Sequence, residues 1–64
     1  MKRRRLLRHL SQEGCEIVGE GGSHTRVRNP RNGFRSVVPR HREIKPNMVR
    51  TICKQLDVPV PTDR

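Results

Sequence analysis

The sequence predicts an α+β fold in which a helix, three antiparallel strands and a second helix follow one another along the chain. Leucines at helical spacing near the start of the chain predict the first helix, and alternation in residues 24–29 predicts a strand. Apolar residues at the i, i+3, i+4 and i+7 positions predict the second helix: Val49, Ile52, Cys53 and Leu56. Because each helix has a single apolar face, we expect both helices to cover one face of the sheet and leave the other face open.

The first helix is predicted over residues 2–13. Leu6, Leu7 and Leu10 form its apolar arc, and arginines occupy most of the remaining surface. Gly14 is well placed to end this helix in the left-handed conformation, which costs glycine little. His9 lies outside the leucine arc, so we expect it to be a solvent-exposed surface residue.

The first strand is predicted over residues 15–19, with Cys15 and Ile17 pointing toward the core. Residues 20–23 form the following turn. Gly21 and Gly22 make the kind of dipeptide that tolerates positive φ angles in a hairpin. These features predict a β-hairpin that leads into the strand beginning at His24.

The second strand is predicted over residues 24–29. Thr25 and Val27 share the face suited to the core, and the opposite face carries three basic side chains: His24, Arg26 and Arg28. The alternation therefore predicts that this strand presents an imidazole and two guanidinium groups to solvent.

The third strand is predicted over residues 34–38, after a turn marked by Asn32-Gly33. Packing Phe34 and Val38 inward places Arg35 on the open face beside the basic side chains of the second strand. The same register places Ser36 inward and Val37 outward.

A basic exposed loop is predicted over residues 39–45, and the last helix begins near Pro46, where a missing N–H costs nothing. Pro59 and Pro61 end the regular structure. The predicted organisation is one domain over residues 1–58, followed by a short tail over residues 59–64.

The charge balance predicts a polyanionic partner. The chain has 64 residues, with 15 Lys and Arg against 6 Asp and Glu, giving a formal net charge of +9. Nucleic acid fits this excess best, although an acidic protein would also satisfy it. An anionic membrane fits less well, because no segment combines a long apolar face with a basic one.

The sequence also predicts a cytoplasmic protein without a membrane span. Its longest apolar runs are pairs such as Leu6-Leu7, and no apolar stretch of a signal peptide follows the basic N-terminal residues. In that compartment we expect Cys15 and Cys53 to stay reduced.

The open face and the adjoining loop predict an RNA-binding surface. Its predicted RNA-binding residues are Ser23, Arg26, Arg28, Arg35, Arg40, His41 and Arg42. Such a surface would bind the phosphate backbone of single- or double-stranded RNA, and its affinity would fall steeply with salt. Phe34 is the one aromatic residue and is predicted to be buried, so stacking on bases is not expected.

His24 adds a possible catalytic role to this surface. RNA carries its own nucleophile, the 2′-OH, so cleavage needs a base, an acid and cations around the phosphate, but no metal or cofactor. A single histidine on a basic sheet is more often a phosphate contact than a catalyst, and both roles stay open on spacing alone. His41 is a possible second proton carrier or an RNA contact.

An ordered set of short motifs resembles one family, the HicA-type (YcfA-like) mRNA-interferase toxins of toxin–antitoxin systems. The motifs are Gly14, Gly22-Ser23-His24, Val38-Pro39-x-His41, Glu43-Ile44-Lys45-Pro46 and Val49-Arg50-x-Ile52. The resemblance implies a fold similar to a double-stranded RNA-binding domain. It also implies ribosome-independent cleavage of messenger RNA, translation arrest, and neutralisation by a HicB antitoxin that masks the catalytic histidine, which is His24 here.

Two other classes of function remain open on the sequence. A non-catalytic RNA-binding module of the same fold would bind RNA without cutting it. A protein that uses its basic face only for an acidic partner would have no measurable RNA affinity at physiological salt. Cleavage by the wild type and by a His24→Ala variant distinguishes these classes.

Overall fold

The computed structural model describes residues 1–61 and confirms the α-β-β-β-α order that the sequence predicts. The elements are α1 (Arg3–Gln12), β1 (Glu16–Glu20), β2 (His24–Arg28), β3 (Arg35–Pro39) and α2 (Pro46–Leu56). Each begins or ends within one or two residues of its predicted limit. Pro46 opens α2 as expected, because proline lacks only an N–H that a first helical turn leaves unbonded.

The three strands form one antiparallel sheet in the order β1-β2-β3. In the β2–β3 register, His24 lies opposite Pro39 and Arg28 lies opposite Arg35. Thr25 and Val27 are buried, whereas His24 and Arg26 are exposed. The sheet is therefore covered on one face and open on the other, as predicted.

The core lies between the covered face of the sheet and the apolar faces of both helices. It consists of Leu6, Leu10, Cys15, Val27, Val38, Ile44, Val49, Ile52, Cys53, Leu56 and Val58. Both cysteines are buried free thiols, in agreement with the sequence prediction. Burial raises the pKa of the Cys53 thiol, and the neighbouring Cys15 raises it further.

The predicted left-handed residue after α1 is confirmed, because Gly14 has a φ of 92°. The predicted hairpin turn between β1 and β2 is confirmed, but neither Gly21 nor Gly22 adopts the positive φ that was associated with it. Among residues 1–61, positive φ occurs at Gly14, Gly33 and Asp57. The turn before β2 is held by side chains rather than by left-handed glycines, as described below.

Phe34 does not pack in the core, contrary to the sequence prediction, whereas Ile17 lies on the covered face as predicted but is only partly covered. Phe34 is 50% exposed and precedes β3, because its N–H donates to Asn32 Oδ1 and its carbonyl accepts from the Asn29 N–H. Ile17 is 51% exposed although it lies opposite the buried Val27, because β1 is an edge strand that the helices cover only in part. The β1–β2 register shifts after Ile17, between it and Gly19. The predicted inward Ser36 and outward Val37 are confirmed.

The segments outside the regular elements differ from the prediction in two places. Ile44 is buried in the loop that was expected to be exposed, and its N–H donates to the carbonyl of Met1 at 2.7 Å. His9 is half-buried, with its Nε2 donating to the carbonyl of Pro59 at 2.7 Å, so it is not simply solvated. Of the predicted tail, residues 62–64 lie outside the described residues.

Candidate functional site

His24 is the first residue of β2 and is exposed on the open face of the sheet. Its Nδ1 lies 2.9 Å from Ser23 Oγ, which can donate to or accept from the ring. When Nδ1–H donates to the hydroxyl, Nε2 is left as a bare proton acceptor facing away from Ser23. The serine predicted as an RNA contact therefore orients the imidazole, and its geometry allows the ring to act as a base.

A depression of about 470 Å³ adjoins this imidazole. Its lining includes His24 and His41, the charged Lys45 and Glu43, and the apolar Met48 and Val37. The structure thus brings together two histidines that lie in separate motifs of the sequence, and Lys45 lines the same depression. Lys45 was missed as a site residue, although it lies in the Glu43-Ile44-Lys45-Pro46 motif.

The turn that precedes His24 is held by Arg40. The guanidinium of Arg40 makes two of the bonds: Nη2 lies 2.7 Å from Glu20 Oε1, and Nε donates to the Gly21 carbonyl at 3.2 Å. The backbone N–H of Arg40 makes the third, donating to the Ser23 carbonyl at 3.3 Å. Arg40 was predicted as an RNA contact, but these bonds commit its guanidinium to the turn. Its position indicates a role in placing Ser23 and His24.

A buried polar contact lies directly behind His24. Thr25 is fully buried, and its hydroxyl donates to Glu20 Oε1 at 2.8 Å and accepts from Arg3 Nη2. The Nε of Arg3 donates to the Pro39 carbonyl at 3.1 Å, opposite His24 in the sheet. Arg3 ties α1 to the start of β2 and the end of β3, and no pattern in the sequence distinguishes it from the other arginines of α1.

Two predicted arginines on the open face have no acidic partner among residues 1–61. Within residues 1–61, the ion pairs of the sheet join Arg28 to Glu16 at 3.1 Å and Arg40 to Glu20, whereas Arg26 and Arg35 have none. Guanidinium groups without a carboxylate partner are available to bind phosphate. Arg26 and Arg35 are therefore the strongest phosphate-binding candidates on this face, and Arg28 is partly neutralised.

Gly19 makes room for the side chain of Arg26. The two residues are partners in the β1–β2 register, and a Cβ at position 19 would lie 2.6 Å from Arg26 Nε. Any larger residue there would displace the guanidinium, because real Cβ contacts are not that short. The absence of a side chain at Gly19 thus allows Arg26 to lie across β1.

Arg42 lies away from His24, contrary to the expectation that it flanks the same surface. It borders a separate depression of about 300 Å³ together with Lys2, Arg3 and Arg4. The backbone explains this position, since the Arg3 N–H donates to the Arg42 carbonyl at 2.9 Å and draws the loop toward α1. His41, two residues after Pro39, remains on the His24 side.

Neither a metal-binding cluster nor a membrane-spanning helix is found among the described residues. Residues 1–61 contain no group of three His, Cys, Asp or Glu side chains placed to hold a metal ion. In the same part of the chain, neither helix has the length and apolar character needed to cross a membrane. Independence from metal stays a prediction, which chelation tests.

Comparison with known families decides the identity. A family model described as the HicA toxin of bacterial toxin–antitoxin systems matches residues 3–58. The chain belongs to the HicA toxin family. No curated protein and no solved structure matches it. The matched range runs from the start of α1 past the end of α2, and it confirms the resemblance seen in the sequence. The chain is therefore the toxin of a toxin–antitoxin pair, with a cognate antitoxin as its partner.

Proposed function

We propose that this HicA toxin is a metal-independent endoribonuclease that cleaves messenger RNA in the cytoplasm and thereby arrests translation. One observation carries the proposal: the exposed imidazole of His24, held by Ser23, adjoins a depression that His41 and Lys45 also line. This arrangement provides two proton carriers and a cation within one concave surface. Those are the groups that cleavage by an internal ribose nucleophile needs.

His24 is the proposed general base. Its Nε2 accepts the proton of a ribose 2′-OH, and the resulting oxygen nucleophile attacks the adjacent phosphorus. The bond from phosphorus to the 5′ oxygen breaks, which leaves a 2′,3′-cyclic phosphate on one product and a 5′-OH on the other. The bond from Ser23 Oγ to Nδ1 supports this role, because it fixes the ring with Nε2 directed outward.

His41 is the proposed general acid, which gives a proton to the departing 5′ oxygen. It lines the same depression as His24, so one ribose-phosphate unit would contact both rings. Lys45 would stabilise the negative charge that develops on the phosphorane oxygens. The unpaired Arg26 and Arg35 would bind phosphates along the rest of the strand, which would be held across the open face.

The proposed antitoxin is a HicB-like protein that covers His24. The open face carries an excess of positive charge, because Arg26 and Arg35 have no acidic partner among residues 1–61. An acidic partner surface would therefore bind there and exclude RNA by occupying the same groups. This proposal predicts that antitoxin and RNA compete for one surface.

Inducible expression in a bacterial host tests the proposed function. We expect the wild-type chain to arrest growth and degrade messenger RNA, and the His24→Ala variant to do neither. His9→Ala is the matched control, because His9 lies on α1 beside Pro59 and not in the His24 depression, so this variant should remain toxic. Arrest by His24→Ala would remove His24 from the mechanism. Salt-sensitive RNA binding without cleavage by the purified wild type would instead favour the non-catalytic module.

A further inference from the structure

Phe34 occupies an unusual position for the one aromatic residue of a small basic protein. Its side chain is 50% exposed and lines a depression of about 940 Å³ that involves all three strands and also reaches Ser36 and Gln55, where β3 meets α2. The same depression is lined by Val18 of β1, Arg26 of β2, and Arg35 and Val37 of β3. An exposed ring with apolar neighbours offers a face on which a flat ring can stack, and the adjacent guanidinium groups suit an anionic group of the same ligand.

The backbone of Phe34 is fixed rather than loose. Its N–H donates to Asn32 Oδ1 and its carbonyl accepts from the Asn29 N–H, both at 2.8 Å. Asn29 is itself buried, and its side chain donates to the Leu56 carbonyl at 2.9 Å. The turn is therefore tied to the end of α2, and the ring is presented from a rigid support, which lowers the entropy lost when a ligand stacks on it.

The depression at Phe34 adjoins the one at His24. Val37 lines both, and β3 runs from Arg35, next to Phe34, to Pro39, opposite His24. The five residue-to-residue steps from Phe34 to Pro39 span about 17 Å in an extended chain. One RNA strand following β3 would thus reach from the imidazole to the aromatic ring within a few nucleotides.

We propose that the depression at Phe34 is a nucleobase-binding subsite, in which an unpaired base of the RNA stacks on the Phe34 ring while Arg26 and Arg35 bind the flanking phosphates. The inference rests on the proposed RNA substrate and adds a preference for single-stranded RNA. A base within a duplex is already stacked on both sides and cannot offer its face to the ring. The charge of the two arginines favours a nucleic acid over an uncharged aromatic ligand.

Binding assays in a non-cleaving His24→Ala background test this subsite. The probes are fluorescein-labelled oligoadenosine and the same strand annealed to oligouridine. We expect Phe34→Ala to weaken single-strand binding by about 5- to 150-fold, the range that base–aromatic stacking contributes. Phe34→Trp should restore it, and duplex binding should not change. The salt dependence should also stay the same, because no phosphate contact is removed.

Single abasic riboses placed along the oligoadenosine locate the stacked base. When the abasic ribose is at the stacking position, the strand should bind the protein with Phe34 intact as weakly as the unmodified strand binds Phe34→Ala. Combining that abasic strand with Phe34→Ala should cause no further loss of affinity. Thermal unfolding of each variant shows that the fold is intact, which we expect because Phe34 is outside the core.

Several outcomes would refute the proposed subsite and leave the proposed cleavage mechanism unaffected. Unchanged single-strand affinity in Phe34→Ala, or an equal loss on the duplex, would exclude stacking even if the wild type cleaves RNA. Weakened antitoxin binding with unchanged RNA binding would assign the patch to the protein partner instead. Conversely, Phe34-dependent binding by a chain that never cleaves RNA would support the subsite and refute the nuclease.

Discussion

Removal of the two unpaired arginines from the open face gives a quantitative test of RNA binding. The double variant Arg26→Gln/Arg35→Gln removes two guanidinium groups from the predicted path of the RNA strand, and neither group has an acidic partner within residues 1–61. Each phosphate contact to single-stranded RNA contributes about 0.7 to the slope of log affinity against log salt. We therefore expect the slope to decrease in magnitude by about 1.4. Between about 50 and 200 mM salt, the wild type should lose about sevenfold more affinity than the variant.

The assay is fluorescence anisotropy with labelled oligoadenosine over a salt series, in the His24→Ala background. Arg50→Gln/Lys54→Gln is the matched control, because it also removes two positive charges, but from exposed positions of α2. We expect the control to keep nearly the wild-type slope. All variants should unfold within about 0.5 kcal/mol of the wild type, since the altered side chains are exposed. Equal slopes for the two double variants would show that RNA affinity depends on the net charge of the protein alone and that the open face is not the binding site of the strand.

Three further predictions concern the second histidine, the buried contact behind the site and the thiols. His41→Gln should lower the cleavage rate by about 10²- to 10⁴-fold in single-turnover kinetics with little change in RNA affinity, and an unchanged rate would exclude it as the acid. Thr25→Val should lower the free energy of unfolding, measured by urea titration, by about 1–3 kcal/mol, because Arg3 and Glu20 lose a buried hydrogen-bond partner. The control Thr51→Val, at an exposed position, should change the free energy of unfolding little. Burial raises the pKa of Cys53, so with rising pH this thiol ionises in the unfolded chain before it ionises in the folded one. The free energy of unfolding should therefore stay constant below about pH 8.5 and fall above it, and the fall should be less steep in Cys53→Ala. An equally steep fall in both proteins would refute this linkage.

The fold could be predicted because its signals are local and periodic. The apolar positions of α2 repeat at helical spacing, and Thr25 and Val27 alternate with charged residues in β2, so burial follows from spacing alone. The errors occurred where tertiary contacts override the pattern. Ile17 faces the core from an edge strand and stays half-exposed, and hydrogen bonds to Asn29 and Asn32 hold Phe34 outside β3.

The candidate site was predictable only in part. The open-face position of His24, Arg26 and Arg35 follows from strand alternation and is observed. The commitment of Arg40 to Glu20 and Gly21 is not visible in sequence, because it depends on how two loops meet in space. The same holds for the shared depression of His24 and His41, since residues 17 positions apart become neighbours through the pairing of β2 with β3.

The most direct test of the proposed mechanism measures the products of RNA cleavage by the purified chain in EDTA, with unmodified RNA and with RNA methylated at every 2′ oxygen. We predict that the wild type cleaves the unmodified strand, leaves 2′,3′-cyclic phosphate and 5′-OH ends, and does not cleave the methylated strand. His24→Ala should be slower by at least about 10²-fold. Cleavage of the methylated strand, or a His24→Ala rate equal to that of the wild type, would contradict proton abstraction from the ribose by His24.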